Sequence, residues 1–308
     1  MSAATIAHAL GGARREGCGW RCKCPLHGGR SLALRDGNSG LLVWCFGGCD
    51  SRDVLAELRR AGLMEGRPID YRPPATIAPP HDDTSREAAR TTRALTIWRE
   101  AGPIAGTIAE VYLWSRGITL DAWPVALRFH PCCPRPKDDH GNRLPAMPAM
   151  VGVVEHTERG LVAVHCTYLR RDGSGKAAVE PDKAFFGPVS GGAVRLGMPR
   201  DGEWLAVAEG IETALSIASA CAVPAWAALS ARGIKNVLLP SEAHMVLICA
   251  DNDASGVGQR ATQDAAQRFL AERRSVKLAM PPEPGTDFND VLRGPTLSHI
   301  EEVRRVAT

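Results

Sequence analysis

Trp204-Leu205-Ala206-Val207-Ala208-Glu209-Gly210 and Met245-Val246-Leu247-Ile248-Cys249-Ala250-Asp251-Asn252-Asp253 decide the fold of this chain. Each is an apolar run of strand length that stops on carboxylates. Short continuous apolar runs suit strands buried on both faces of a parallel sheet, although the pattern alone does not separate them from a buried helix. After Gly210 the period changes, and Ile211, Ala214, Leu215 and Ala218 recur at helical spacing. After Gly256 and Gly258 a second helical pattern runs through Ala261, Ala265, Ala266, Phe269 and Leu270. Two strand–turn–helix units of this kind place Glu209, Asp251 and Asp253 at the carboxyl edge of an open α/β sheet, where such sheets bind ligands.

Carboxylates gathered at one edge repel each other unless a hard cation sits among them. Mg²⁺ takes oxygen ligands, keeps several waters and is commonly shared with substrate phosphates. The pattern therefore points to metal-assisted phosphoryl chemistry. The plainer alternative is that strand-end acids cap the following helices. For Asp251-Asn252-Asp253 alone that alternative is the better one, and Glu209-Gly210 at the matching edge reverses the balance.

Glu209-Gly210-Ile211-Glu212-Thr213-Ala214-Leu215-Ser216 followed by Asp251-Asn252-Asp253-Ala254-Ser255-Gly256 resembles the Toprim domain of DnaG-type primases, topoisomerases and some nucleases, in the variant of phage and plasmid primases. The resemblance covers about the last third of the chain and implies a Rossmann-like parallel sheet. It also implies that Glu209, Asp251 and Asp253 hold catalytic Mg²⁺ or Mn²⁺. Many relatives carry aspartate where this chain has Thr213, which leaves a second metal open, with Glu212 as an alternative acid. Asp287-Phe288-Asn289-Asp290-Val291-Leu292 resembles the acidic stretch that closes the domain, so Asp287 is a further candidate ligand.

The front of the chain carries Cys24-Pro25-Leu26-His27 and, after a predicted hairpin from Ser31 to Trp44 with its turn at Asp36-Gly37-Asn38, Cys45-Phe46-Gly47-Gly48-Cys49. Short gaps let both ligands of a pair face one ion. Three thiolates and an imidazole form a closed set suited to structural Zn²⁺. Either Cys18 or Cys22 could substitute for a ligand; they are read as bystanders or as residues supporting the ligands from outside. The arrangement resembles the CHC2-type zinc ribbon of DnaG-like primases, with one additional glycine, and implies contact with single-stranded template. Arg30 and Arg35 suit phosphate contact, while Trp44 reads as core packing rather than a stacking surface. A helix over Asp53 to Leu63, with Val54, Leu55 and Leu58 inward, follows.

With 308 residues, 44% of them apolar, the chain has material for a core and about two domains. No apolar run approaches the roughly 20 residues that span a bilayer. Ten cysteines without an export signal suggest reduced thiols and a cytoplasmic protein. The net charge of +3 divides unevenly: +4 over 1–64, +3 over 65–200 and −4 over 201–308. A basic front and an acidic end suit phosphate binding at one part and metal binding at another. The proline-rich stretch 65–84 reads as a linker.

In the middle, helices are predicted over Arg86 to Ala101 and Ile108 to Arg116; after the stretch Leu127 to Pro131, to which no element is assigned, strands are predicted at Ala149 to Val154 and Leu161 to Leu169, joined by a polar turn at Glu158-Arg159-Gly160. Tyr112-Leu113-Trp114-Ser115-Arg116-Gly117-Ile118 resembles the opening of the primase catalytic core, which implies an α+β subdomain over 85–200 whose basic residues, here Arg116, Lys176 and Lys183, line the template and nucleotide groove. Asp172-Gly173-Ser174-Gly175-Lys176 fails the phosphate-loop pattern, because Arg170 replaces the first glycine and no Ser/Thr follows Lys176. Lys176 then reads as a solvated lysine at a hairpin tip, Cys132-Cys133 as loop thiols, and His165 as a satisfied core histidine.

The expected organisation is a zinc ribbon over 1–64, a linker over 65–84, the core's N-terminal subdomain over 85–200 and a Toprim domain over 201–308. The expected function is a primase making short RNA on single-stranded DNA from nucleoside triphosphates, with structural Zn²⁺ and catalytic Mg²⁺ or Mn²⁺. The alternatives are a metal-dependent Toprim nuclease and a non-catalytic single-stranded-DNA-binding module. With no Walker A sequence in the chain, a replicative helicase in trans is the expected partner.

Overall fold

The computed structural model describes residues 1–16, 19–37, 40–46, 49–64, 83–138, 142–252 and 257–294. Contacts divide the chain into two units, Met1–His81 with Lys137–Asn142, and Asp82–Pro136 with Arg143–Thr308. The predicted linker lies almost wholly outside the described residues.

The first unit opens with a helix that the sequence reading did not anticipate, α1 (Ala3–Leu10). Ser2 caps it by accepting a hydrogen bond from the Thr5 amide, and it buries Ala3, Ile6 and Ala7. It packs on a four-stranded antiparallel meander of β1 (Arg14–Glu16), β2 (Gly19–Cys22), β3 (Leu32–Gly37) and β4 (Gly40–Cys45), in that order. The expected β3–β4 hairpin is present and runs in register from Leu32 opposite Cys45 to Gly37 opposite Gly40; Asp36 and Gly37, expected in the turn, are instead paired strand residues. Helix α2 (Ser51–Arg60) starts at the Asp50 cap and buries Val54, Leu55 and Leu58, the predicted face.

The second unit begins with α3 (Asp83–Glu100) and α4 (Ile108–Ser115), the latter capped by Thr107. An antiparallel sheet follows in the order β5 (Leu127–Cys133), β6 (Met147–His156), β7 (Gly160–Tyr168), β8 (Lys183–Phe186). Cys132 and Cys133 are therefore in a strand, not a loop. Their prolines are accommodated because β5 is an edge strand with an irregular register between His130 and Cys133. Cys133 is buried with its Sγ 3.5 Å from that of Cys166.

The remainder alternates strand and helix: β9 (Val194–Arg195), β10 (Trp204–Ala208), α5 (Ile211–Cys221), β11 (Ala225–Ala227), α6 (Ala231–Asn236), β12 (Met245–Cys249), α7 (Val257–Ala271), β13 (Ser275–Ala279) and α8 (Phe288–Arg293). The sheet order is β13-β12-β10-β11-β9, with the first four strands parallel and β9 antiparallel at the edge. The continuous apolar runs are explained by two cores. Ala206, Ala208, Leu247 and Cys249 join Tyr112, Met150, Val164 and Leu215 on one face. Leu205, Val207, Val246 and Ile248 join Trp226, Ala265, Ala266 and Phe269 on the other. Each large aliphatic or Phe side chain among them stabilises by about 1.5–3 kcal/mol relative to exposure. Leu270, predicted on the buried face of α7, is 57% exposed, so the apolar stripe ends at Phe269.

Candidate metal centres and nucleic-acid face

In the first unit, the ligand atoms of Cys24, His27, Cys45 and Cys49 all lie within 4.8 Å of one another. A tetrahedral ion with bonds of about 2.3 Å separates its ligand atoms by about 3.8 Å, so the four close on one Zn²⁺ with shifts of about an ångström. His27 Nε2 is 3.2 Å from Cys45 Sγ, and Cys24 Sγ is 3.7 Å from Cys49 Sγ. The Ser31 hydroxyl lies 2.9 Å from His27 Nε2 and 3.4 Å from Cys45 Sγ, and with Nε2 on the ion its hydroxyl is left to donate to the Cys45 thiolate. Cys22 is buried in β2 but stands outside the cluster, and Cys18 lies outside the described residues.

Beside the knuckle, the outward face of β2–β4 is aromatic and basic. Trp44 and Phe46 are 44% and 51% exposed and meet edge to face at 6.3 Å. This corrects the core reading of Trp44: on β4 the inward positions alternate with exposed ones, and Trp44 falls on the exposed parity. The Arg21 guanidinium lies 3.8 Å above the Phe46 ring, and Trp20, Arg35 and Leu42 continue the same shallow groove.

In the second unit, Ala208 pairs with Cys249 in the parallel register of β10 and β12. Glu209 and Asp251 therefore leave neighbouring strand ends, strands being about 4.8 Å apart. Oδ1 of Asp251 is enclosed by protein. The loop before α8 closes on the same edge: the Asn252 amide donates to the Thr286 carbonyl at 3.1 Å, and the Gly285 amide donates to the Asn252 carbonyl at 2.6 Å. Asp287 caps α8 in a reciprocal capping box with Asp290. Asp253 lies outside the described residues. The donors present at this edge are carboxylate oxygens, which suit Mg²⁺ or Mn²⁺.

Glu212 is not a reserve acid of this edge. It sits in the first turn of α5, 5% exposed, and its Oε1 accepts a 2.6 Å hydrogen bond from the Tyr112 hydroxyl and lies 3.4 Å from Lys176 Nζ. Burial pushes its carboxyl up, but Lys176, Lys183 and the tyrosine outweigh that and hold it at about 2. Lys176 is correspondingly no solvated tip lysine. Burial and Lys183 lower its pKa against the pull of Glu212. Burial, and then Glu212, raises the Tyr112 phenol far above its usual range, while Arg116 opposes this. Arg116, Lys176 and Lys183 thus all act on the Tyr112–Glu212 pair. Lys183 is exposed on β8, and Arg116 ends α4 with its carbonyl accepting from Asn289 Nδ2 at 2.8 Å. His165 is a core residue as expected, yet not a satisfied one: Nδ1 has no hydrogen-bond partner among the described residues, and burial lowers its pKa to about 3. Sequence reading placed Tyr112 in the stretch resembling the opening of the primase core but gave its hydroxyl no role.

The shift of Glu212 has a testable consequence. A carboxyl held near 2 in the fold against 4.5 otherwise contributes stability above that range and loses it as pH falls from about 4.5 to about 2, on the order of 3 kcal/mol in all. Urea unfolding of wild type and Glu212→Gln is expected to differ most at pH 7 and to converge on acidification. Curves that stay parallel from pH 7 to pH 3 would contradict the ion pair.

Residues 204–295 match the Toprim domain family. The C-terminal parallel sheet and its helices are a Toprim domain. Residues 88–196, immediately before it, match a family described as Domain of unknown function (DUF7146). No curated protein matches the chain. Among solved structures, the chain is similar to a DNA primase domain from Pseudomonas aeruginosa, at 19% identity and a TM-score of 0.44, over 65% of this chain and 71% of that one. It is also similar to the DnaG primase catalytic domain bound to ssDNA, at 16% identity and 0.47, over 74% and 83%. The zinc-binding and RNA polymerase domains of the Aquifex aeolicus primase match at 15% identity and 0.46, over 100% and 82%. The Toprim domain supplies the acidic edge, and the antiparallel sheet before it supplies Lys183 from β8 and Lys176 from the β7–β8 connection. Among the described residues no helix is long and apolar enough to cross a membrane.

Proposed function

We propose that this protein is a primase, which joins nucleoside triphosphates into short RNA on single-stranded DNA. The observation that carries the reading is the meeting of Glu209 and Asp251 at adjacent strand ends of a Toprim sheet, in a chain that also bears a Cys₃His cluster. In the reaction the primer 3′-hydroxyl attacks the α-phosphate of the incoming nucleotide, and pyrophosphate leaves. A divalent cation at the edge would neutralise the phosphate oxygens as charge develops on them. Glu209, Asp251 and Asp253 are the residues proposed to hold it, with Asp287 at the border. Arg116, Lys176 and Lys183 are proposed to draw the triphosphate and template toward the edge by charge.

The zinc-bearing unit is proposed to hold template. Its exposed Trp44 and Phe46 offer stacking surfaces, and Arg21 and Arg35 offer phosphate contacts. Trp44→Ala and Phe46→Ala in the full chain are each expected to weaken single-stranded-DNA binding about tenfold, read by fluorescence anisotropy at fixed salt. Unchanged affinity in both variants would remove this face from the template path.

The deciding experiment incubates the protein with single-stranded DNA, Mg²⁺ or Mn²⁺ and labelled nucleotides. Short RNA products support the proposal. Shortened DNA would indicate a nuclease, and retention of DNA without products a binding module. A replicative helicase is the proposed partner, and the cytoplasm the proposed location. A pull-down that recovers no replication protein would count against that partner.

A further inference from the structure

We infer that Glu212 is a positioning residue: gripped by Lys176 and Tyr112, it fixes the Gly210 turn and thereby the carboxylate of Glu209. The inference rests on the metal-edge reading above. Glu212 follows Glu209 by one helical turn, and its carboxylate spans two directions. Oε1 takes the tyrosine hydroxyl and the lysine ammonium. Oε2 lies toward the turn, where a Cβ added to Gly210 would sit 3.8 Å from it and 3.3 Å from Thr213 Oγ1. A side chain at residue 210 would crowd Thr213 and touch this carboxylate at ordinary van der Waals distance.

The same turn of α5 is tied onward to the other strand end. Ser216 Oγ donates to the Glu212 carbonyl at 2.8 Å and lies 2.9 Å from Asn289 Nδ2, in the fully buried side chain of α8. Just ahead of α8, residues 285 and 286 hydrogen-bond to Asn252, the neighbour of Asp251. A continuous path therefore runs from Lys176 and Tyr112 through Glu212, Ser216 and Asn289 to the end of β12. It joins the two acids by a route separate from the sheet ladder.

Charge at Glu212 is not what folding alone would select. A buried ion pair often stabilises no more than a packed apolar pair of the same volume. What it adds is direction, since the ammonium and the phenol define where the carboxylate points. Residues that orient metal ligands from behind typically change metal affinity by about 10- to 100-fold when altered.

The test is Mn²⁺ binding to the zinc-loaded full chain, followed by electron paramagnetic resonance in the absence of nucleotide. Lys176→Met is the informative variant. Coulomb's law alone says that removing a nearby cation tightens Mn²⁺ binding. Positioning says that it weakens it, by about tenfold or more. Glu212→Gln and the double variant E212Q/K176M are expected to weaken it similarly, without adding. Unchanged or tighter binding in a folded Lys176→Met protein overturns the inference. So does the double variant if it melts and binds like wild type, which would make the pair a strut only. If the charge variants do not fold, Tyr112→Phe carries the test: severalfold weaker binding supports the inference and unchanged binding overturns it. Glu209→Gln serves as the control. If wild type binds no Mn²⁺ beyond the zinc site, or Glu209→Gln binds it equally well, the metal-edge reading has failed rather than the positioning role.

Discussion

Glu209→Gln and Asp251→Asn are each expected to reduce primer synthesis by on the order of a thousandfold while leaving the thermal transition in place or slightly raised. The sign of the stability effect follows from the geometry. The two acids follow neighbouring strands that end side by side, so a neutral isostere removes the like-charge repulsion between them. The apolar runs behind them, Leu205 to Ala208 and Val246 to Cys249, are buried on both faces and do not depend on the acids. Function and stability therefore separate at these positions, as they do wherever like charges are held together for a ligand. Primer products on a denaturing gel, with melting of the same samples, make the comparison. Synthesis retained by either variant would remove the metal assignment. Loss of synthesis together with loss of the fold would show that the acids are structural.

Stripping the Cys₃His centre is expected to unfold the first unit and leave the second intact. That unit is a four-stranded meander with two short helices, close to the size at which an apolar core alone is marginal. Structural Zn²⁺ contributes about 10–16 kcal/mol of binding free energy to domains of this kind at neutral pH. Cys24 and Cys45 are almost fully enclosed, so four ligands brought within 4.8 Å without an ion would leave crowded thiols in place of a centre. Purified protein is expected to contain one zinc per chain. Chelation, or Cys45→Ser, is expected to make residues in the first unit rapidly cleavable by protease while fragments of the Toprim domain persist. A chain free of zinc, or a digestion pattern indifferent to chelation, would refute the centre. Primer synthesis on single-stranded template is expected to fall in parallel, since the template face shares β4 with Cys45.

Features that reside in spacing were legible in advance. Cys24, His27, Cys45 and Cys49 are separated by short gaps and one hairpin, and hairpin register follows from alternation and turn residues. The strands ending at Glu209 and Asp251 were legible because both faces of a parallel sheet are covered, which leaves an uninterrupted apolar run. Trp44 was misjudged because residue type says nothing about parity, and parity on β4 sends it outward. Cys132 and Cys133 were misjudged because proline beside them suggests a loop, whereas an edge strand tolerates proline.

By itself, the sequence determined the clustered cysteines and histidine at the front and the two strand–turn–helix units whose strands end on acids, since each depends on residues near one another along the chain. Only the tertiary structure decided that Glu212 faces Lys176 and Tyr112, the latter 100 positions away, and that Cys133 meets Cys166. Those pairings arise where one shared core brings an antiparallel sheet against the first turn of α5. Burial there lowers the local dielectric and makes an ammonium the obligatory companion of a carboxylate, a requirement that no periodicity in the sequence records.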